Sequence, residues 1–261
     1  MDKRTPLLGV LGGLGPMSTF YFCQLLTAHT CAARDADHVD MIVSSRATTP
    51  DRTAFILGRS TEDPLPVMLE EAERLARAGA ELLVIPCNTA HYFYDGLQKG
   101  SSLPIINIIE ETVKTLYAAG IRRFGLLATE GTASSGAYER ICRRYGITCV
   151  LPTKEEQDAL SSLIYEEVKQ NREPSGEALE QIATSMLARG CEKLVLGCTE
   201  LSLLKPRLAH PEHFLDALEV LAFRTLLRLG KEPVGFSDPL LGGSLDEPSP
   251  DRPTGAKEVK A

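Results

Sequence analysis

Short runs of Val, Ile and Leu that end in Gly, Cys or Asn alternate along this chain with longer stretches whose apolar residues recur at helical spacing. The apolar runs predict strands at about 7–11, 39–45, 81–86, 103–107, 123–128, 147–151 and 193–197. The amphipathic stretches predict helices near 17–33, 64–79, 109–119, 132–145, 155–170, 175–189 and 216–229. Strands with no polar face must be covered on both sides, which is the condition of a parallel sheet between helices. The expected fold class is α/β: two similar lobes, each a mostly parallel sheet flanked by helices, related by a pseudo-twofold axis with the active site in the interlobe cleft. Residues 1–114 plus 212–232 are expected to form the first lobe and 115–211 the second. The apolar periodicity stops near Val234, so 233–261 is expected to be a flexible tail.

The expectation of two lobes rests on an internal repeat. Arg77-Ala-Gly-Ala-Glu-Leu-Leu-Val-Ile-Pro-Cys-Asn-Thr returns as Arg189-Gly-Cys-Glu-Lys-Leu-Val-Leu-Gly-Cys-Thr. Each copy is a helix end, a glycine stop, a buried strand and then a cysteine. Leu8-Gly-Val-Leu-Gly-Gly-Leu-Gly-Pro-Met-Ser-Thr likewise matches Phe124-Gly-Leu-Leu-Ala-Thr-Glu-Gly-Thr-Ala-Ser-Ser in register. Open α/β sheets bind ligands outside the carboxyl ends of their strands, where Cys87, Cys198 and both glycine-bearing turns fall.

Composition narrows the partner. The 261 residues are 43% apolar and 24% charged with a formal net charge of −7, a globular balance that argues against a nucleic-acid surface and leaves a small molecule. No apolar stretch approaches the roughly 18 residues of a membrane span and the start lacks a signal-peptide core, so no membrane partner and a cytoplasmic location are expected. Seven cysteines, at 23, 31, 87, 142, 149, 191 and 198, include no CxxC pair, so reduced thiols are expected rather than disulfides or a zinc ribbon.

Cys87 and Cys198 each precede small polar residues able to open a helix. Helix N-termini and nearby cations can lower a thiol from about 8.5 to about 3.5–7.5, making thiol and thiolate both accessible at neutral pH. Inverting an amino acid at Cα needs a proton carrier on each face of a planar, carbanion-like centre, and cysteines from mirrored lobes would supply the two. Backbone N–H groups around Gly12, Gly13, Gly15 and Gly131, with Asn88, Thr89 and Thr199, could hold carboxylate oxygens. Arg52, in the loop after the second strand, and Lys169, at a helix end in the second half, are candidate cations for an acidic side chain.

Together, Gly12-Gly-Leu-Gly-Pro-Met-Ser-Thr19, Pro50-Asp-Arg-Thr53, Pro86-Cys-Asn-Thr-Ala-His91 and Leu196-Gly-Cys-Thr-Glu-Leu201 resemble the aspartate/glutamate racemase superfamily, on its aspartate racemase branch. The resemblance spans about residues 6–230. It implies racemisation with no cofactor, Cys198 taking the proton from the L-enantiomer and Cys87 from the D-enantiomer. It also implies substrate contacts from Asn88, Thr89 and Thr199, side-chain recognition by Arg52 and Lys169, and a homodimer. Where the family usually reads Asn-Pro-x-Ile-Pro-Asp-Arg, this chain has Arg46-Ala-Thr-Thr-Pro-Asp-Arg52, and an added arginine at 46 could favour a more strongly anionic substrate such as cysteate.

Three side chains carry more than one reading. His91 could tune Cys87 or cap the following segment, Glu200 could orient the substrate ammonium, assist proton traffic or be structural, and Arg46 could be a surface charge. Gly12–Gly15 lacks the GxGxxG spacing of a dinucleotide turn. His210-Pro-Glu-His213 reads as a surface loop because Pro211 breaks the helix a metal pair would need, and no metal is expected. The expected activity is racemisation of aspartate. Glutamate, cysteate or a broad range of amino acids are the alternative substrates, and a silent amino-acid sensor is the alternative of another class.

Overall fold

The computed structural model describes residues 5–170, 172, 174 and 176–241. The strands are β1 (Leu8–Gly12), β2 (Met41–Ser45), β3 (Leu82–Val84), β4 (Ile105–Ile106), β5 (Arg123–Leu127), β6 (Thr148–Val150), β7 (Lys193–Leu196) and β8 (Phe214–Asp216). The helices are α1 (Pro16–Ala28), α2 (Arg52–Ile56), α3 (Pro64–Arg77), α4 (Tyr94–Gly100), α5 (Ile108–Ala118), α6 (Glu130–Ser134), α7 (Ala137–Tyr145), α8 (Lys154–Ser162), α9 (Glu177–Ala188), α10 (Thr199–Ser202) and α11 (Ala217–Arg228). All strand pairs are parallel, and the two four-stranded sheets run β2-β1-β3-β4 and β6-β5-β7-β8. The duplication read from the sequence therefore extends through the whole strand order.

Side chains on opposite faces of the strands enter different cores. Leu8 and Val10 of β1 face a central core shared with Phe22 of α1, Val113 of α5, Tyr138 of α7 and Leu221 of α11. Leu11 and Leu83 face a first outer core under α3, and Leu194 and Leu196 of β7 a second outer core under α8 and α9. Gly9 is required by this packing: a Cβ there would sit 2.6 Å from Leu83 Cδ2 and 3.0 Å from Ala80 Cβ.

The lobe boundary needs a correction. Residues 214–216 were expected in the first lobe, yet β8 pairs with β7 as the last strand of the second sheet. The strand is three residues long, only Phe214 and Leu215 of it apolar, and it runs straight into the following helical pattern, which hid it. Helix α11 does cross back, packing on α1 and on α5, while α5 packs on α7. Each sheet thus ends in a polar N-cap, Asn107 for α5 and Asp216 for α11, that launches a helix into the central core.

Two expected helices are interrupted. Gly136, at φ +65°, separates α6 from α7 where one helix over 132–145 was expected. The stretch expected as a helix over 155–170 leaves α-geometry after Ser162 for a widened π turn over Leu163–Glu167 and a 3-10 turn over Val168–Gln170, which carries Lys169. The expected tail is also partly docked. Pro233 bridges to Thr30, Phe236 stacks on His29 at 4.0 Å, and Leu241 is buried in the central core. Residues 242–261 of that expected tail lie outside the described residues. Among the described residues no helix is long and apolar enough to cross a membrane.

Candidate active site

Strands β3 and β7 end in the same way. After β3 the chain turns through Ile85 and Pro86 into Cys87, and after β7 through Gly197 into Cys198, each turn closed by a bond to the residue two back (Cys87 N–H to Ile85 O, 2.7 Å; Gly197 N–H to Val195 O, 2.9 Å). Gly197 is needed because a Cβ would lie 2.5 Å from Leu126 Cδ1. The two ends meet: the Thr199 hydroxyl donates to the carbonyl of Pro86 at 3.3 Å, joining the residue after one cysteine to the residue before the other. Both cysteines are buried.

Their electrostatic surroundings differ. The Cys198 thiol donates to Glu200 Oε2 at 3.1 Å, and Glu200 Oε1 lies 3.1 Å from Lys169 Nζ. Burial first, and then the Glu200 charge, push the Cys198 thiol well above its ordinary range, with Lys169 acting the other way. Burial also raises Cys87, with Arg52 pulling it down, Glu200 adding to the rise, and the N–H of Ala90 and Lys169 again lowering it. The expectation that helix N-termini would lower both thiols is overturned. Cys198 opens a helix of only four residues, too short for a large dipole, and the removal of water outweighs it.

Asn88, Thr89 and Thr199 are buried at the site. Asn88 Oδ1 accepts from the Tyr138 hydroxyl at 2.7 Å, while Asn88 Nδ2 is buried with no protein partner. Arg52, which caps off the expected loop as the first residue of α2, donates Nη1 to the carbonyls of Thr49 and Pro50 at 3.1 and 3.0 Å, and its Nε is likewise buried and unpartnered. Two buried donors without acceptors beside paired thiols are what an anionic ligand would satisfy. Lys169 sits in the wall of a cavity of about 170 Å³ lined also by Gly15, Pro16, Ser18, Val168 and Glu200. Burial, the largest single influence, would lower its ammonium, but Glu200, Cys198 and Tyr165 together raise it.

The structure directs three candidates elsewhere. Arg46 is tied to Glu70 and Glu71 of α3 at 2.8 and 2.7 Å, because Glu71 is buried and needs a counter-charge; Ser44 and Arg46 hold that carboxyl below its usual range despite its burial. Gly13 donates its N–H to Thr19 Oγ1 at 2.9 Å, so this donor is already used. Gly13 is nonetheless essential to the packing: at φ +84°, a Cβ would lie 2.5 Å from Arg46 N. His91 does not touch the thiol of Cys87. Its Nδ1 is 2.8 Å from the Cys87 carbonyl and its Nε2 accepts from Ile108 N–H at 3.3 Å, and burial lowers it to about 4, so it is a neutral brace between β3 and α5.

Other contributors were not singled out from the sequence. Thr89, Thr129 and Thr132 form a triangle of hydroxyls at 2.9–3.0 Å across the lobes. Tyr165 donates to Thr53 at 2.9 Å, a second crossing. The repeat carried a signal for Thr129, which stands in register with Gly13; Tyr138 and Tyr165 had none, being apolar positions of ordinary helical patterns. Among the described residues no group of three or more His, Cys, Asp or Glu is placed to hold a metal ion.

Residues 11–222, which include both strand ends and every side chain described here, match the family model described as Asp/Glu/Hydantoin racemase. The chain belongs to that family. It is an amino-acid racemase, an isomerase, of the Asp/Glu racemase family. The racemase is 27% identical over 229 residues to the broad specificity amino-acid racemase RacX of Bacillus subtilis (strain 168), covering 84% of this chain and 96% of RacX. Its fold is similar to the Picrophilus torridus aspartate racemase, with TM-score 0.76, 28% identity and coverage of 88% and 96%. It also resembles an aspartate racemase homologue from Pyrococcus horikoshii OT3, with TM-score 0.68, 25% identity and coverage of 87% and 99%.

Proposed function

We propose that this racemase interconverts the enantiomers of an acidic amino acid, aspartate first, without pyridoxal phosphate, using Cys87 and Cys198 as the two proton carriers. The observation that carries this reading is the meeting of two equivalent strand ends, each bearing a buried thiol, through the Thr199 to Pro86 hydrogen bond. Cys198 takes the Cα proton of the L-enantiomer as a thiolate, and Cys87 returns a proton to the opposite face; the reverse reaction exchanges the roles. The unpartnered Arg52 Nε and Asn88 Nδ2 receive carboxylate oxygens, and Thr89 and Thr199 line the approach. Lys169 answers the distal carboxylate. A homodimer in a cytoplasmic setting fits this reading.

A broad-specificity racemase is the second reading, and one observation favours it. Of Arg46, Arg52 and Lys169, only Arg52 has no carboxylate partner among the described residues, so less positive charge is reserved for the substrate side chain than the sequence implied. The extra selectivity for cysteate expected from Arg46 loses its physical basis.

The test is proton NMR in D₂O of dialysed protein with L-aspartate, L-glutamate, L-cysteate and L-alanine in separate tubes, beside Cys87→Ala and Cys198→Ala. Loss of the Cα signal with appearance of the D-enantiomer for aspartate, absent in both variants, is the expected result. Equal turnover of L-alanine favours the broad reading, and binding with no deuterium entry at Cα returns the sensor.

A further inference from the structure

Burial leaves a difficulty that two thiols alone do not resolve. Both are held protonated, and whichever takes the Cα proton must first lose its own. Cys198 is buried, so its proton needs a protein acceptor in contact with it. Glu200 Oε2 at 3.1 Å fills that position. The other oxygen of the same carboxylate is 3.1 Å from Lys169 Nζ, whose side chain is 30% exposed against 8% for Glu200. Both residues line the cavity beneath α1, and a Cβ on Gly15 would be 2.7 Å from Glu200 Oε1, so the absence of a side chain there is what admits the carboxylate. Ser18 lines the same cavity, and its Oγ is buried with no protein partner, as a group that bonds to water would be.

The geometry points to Glu200 as the proton relay between Cys198 and solvent, acting through that thiol and not on the substrate. This rests on the two-thiol reading of the site. Before proton abstraction the S–H bond of Cys198 breaks and an O–H bond forms on Glu200 Oε2. The resulting thiolate takes the Cα proton of the L-enantiomer and becomes a thiol again, while Cys87 gives its proton to the opposite face. Glu200 then releases its proton to water in the cavity and returns to its pairing with Lys169, and Cys87 recovers one proton from water. One proton leaves and one enters, so the cycle balances. Among the described residues no carboxylate hydrogen-bonds to the Cys87 thiol; the Arg52 charge and the Ala90 N–H favour its thiolate, and the Glu200 charge opposes it. Asn88, the residue that follows Cys87, is matched by Thr199, and Glu200 stands where the first half has Thr89, so the relay belongs to one half only.

The test compares wild type with Glu200→Gln and Glu200→Asp in two measurements. In steady-state racemisation the Cys198 proton must leave before Cα is attacked, so Glu200→Gln should lower kcat and kcat/KM together, by about 100-fold, with KM little changed. Glu200→Asp, which keeps an exchangeable carboxyl, should recover part of kcat. The second measurement needs no turnover: the pH dependence of iodoacetamide alkylation at Cys198, read by peptide mass spectrometry. Removing a touching negative charge should move its midpoint down in Glu200→Gln while Cys87 moves less. A Glu200→Gln rate within a few-fold of wild type, no recovery in Glu200→Asp, or an unmoved Cys198 midpoint overturns the relay. A shifted midpoint in a protein that racemises none of the amino acids keeps the thiol–carboxylate contact and removes the two-thiol reading, and matched thermal unfolding curves separate either result from misfolding.

Discussion

The ends of β3 and β7 match in register, although the closing bond comes from Cys87 in one and from Gly197, the counterpart of Pro86, in the other, and they differ in charge. Each strand stops, turns and presents a buried cysteine, yet Cys87 meets the positive charge of Arg52 and an N–H donor, whereas Cys198 meets Glu200 with Lys169 behind it. Duplication reproduces what is set locally: the strand, the turn and the cysteine. Partners arriving from other segments are not duplicated. Arg52 comes from α2 and Lys169 from the interrupted end of the α8 segment, and the halves differ at both places. A racemase must handle mirror-image substrates with side chains that are not mirror images, and the unlike surroundings of the two thiols are consistent with that demand.

The strongest way to break this comparison is to remove each thiol. Cys87→Ala and Cys198→Ala should each lower racemisation by about 10²–10⁴-fold in both directions, because inversion needs both faces; a residual rate near wild type in either variant would leave one-thiol chemistry. Next in size is the order of alkylation with pH. Burial raises both thiols, so both should react at pH values above the about 8.5 of free cysteine. The reactive thiolate forms as pH rises through the raised value, and Cys198, with a carboxylate in contact, should follow Cys87; the reverse order would mean that Lys169 outweighs Glu200.

Smaller effects distinguish the hydroxyls beside the two thiols. Thr89→Val removes two bonds of the interlobe triangle and should cost about 1–3 kcal/mol in urea unfolding, against about 0.5–1.5 kcal/mol for Thr199→Val, which loses the single long bond to Pro86. Equal losses would show that the triangle re-forms around water. The least effect on catalysis belongs to Arg46→Asn. It should leave the ratio of aspartate to cysteate turnover unchanged while lowering the urea midpoint, because Glu71 keeps its burial and loses an ion-pair partner; a changed ratio would return Arg46 to the substrate.

The sequence by itself determined the alternation of strands and helices, the duplicated lobes and the two cysteines at equivalent strand ends, because these depend on local periodicity and on short motifs repeated in register. It also carried the family resemblance, through motifs whose residues lie close together in the chain. It did not determine β8, whose three residues are too few to show a period and are fixed by pairing with β7. Nor did it determine the protonation of the thiols: a helix N-terminus is legible in a sequence, but burial is a property of the assembled cleft, and here burial prevails. The partners of Arg46, His91 and Glu200 were decided in the same way. A charged or titratable side chain is committed by whatever lies within a few ångströms of its tip, and for Arg46 those neighbours are Glu70 and Glu71, 24 and 25 residues along the chain. Tertiary structure alone brings such groups together, and so it alone could turn a list of candidate residues into a site with two unlike halves.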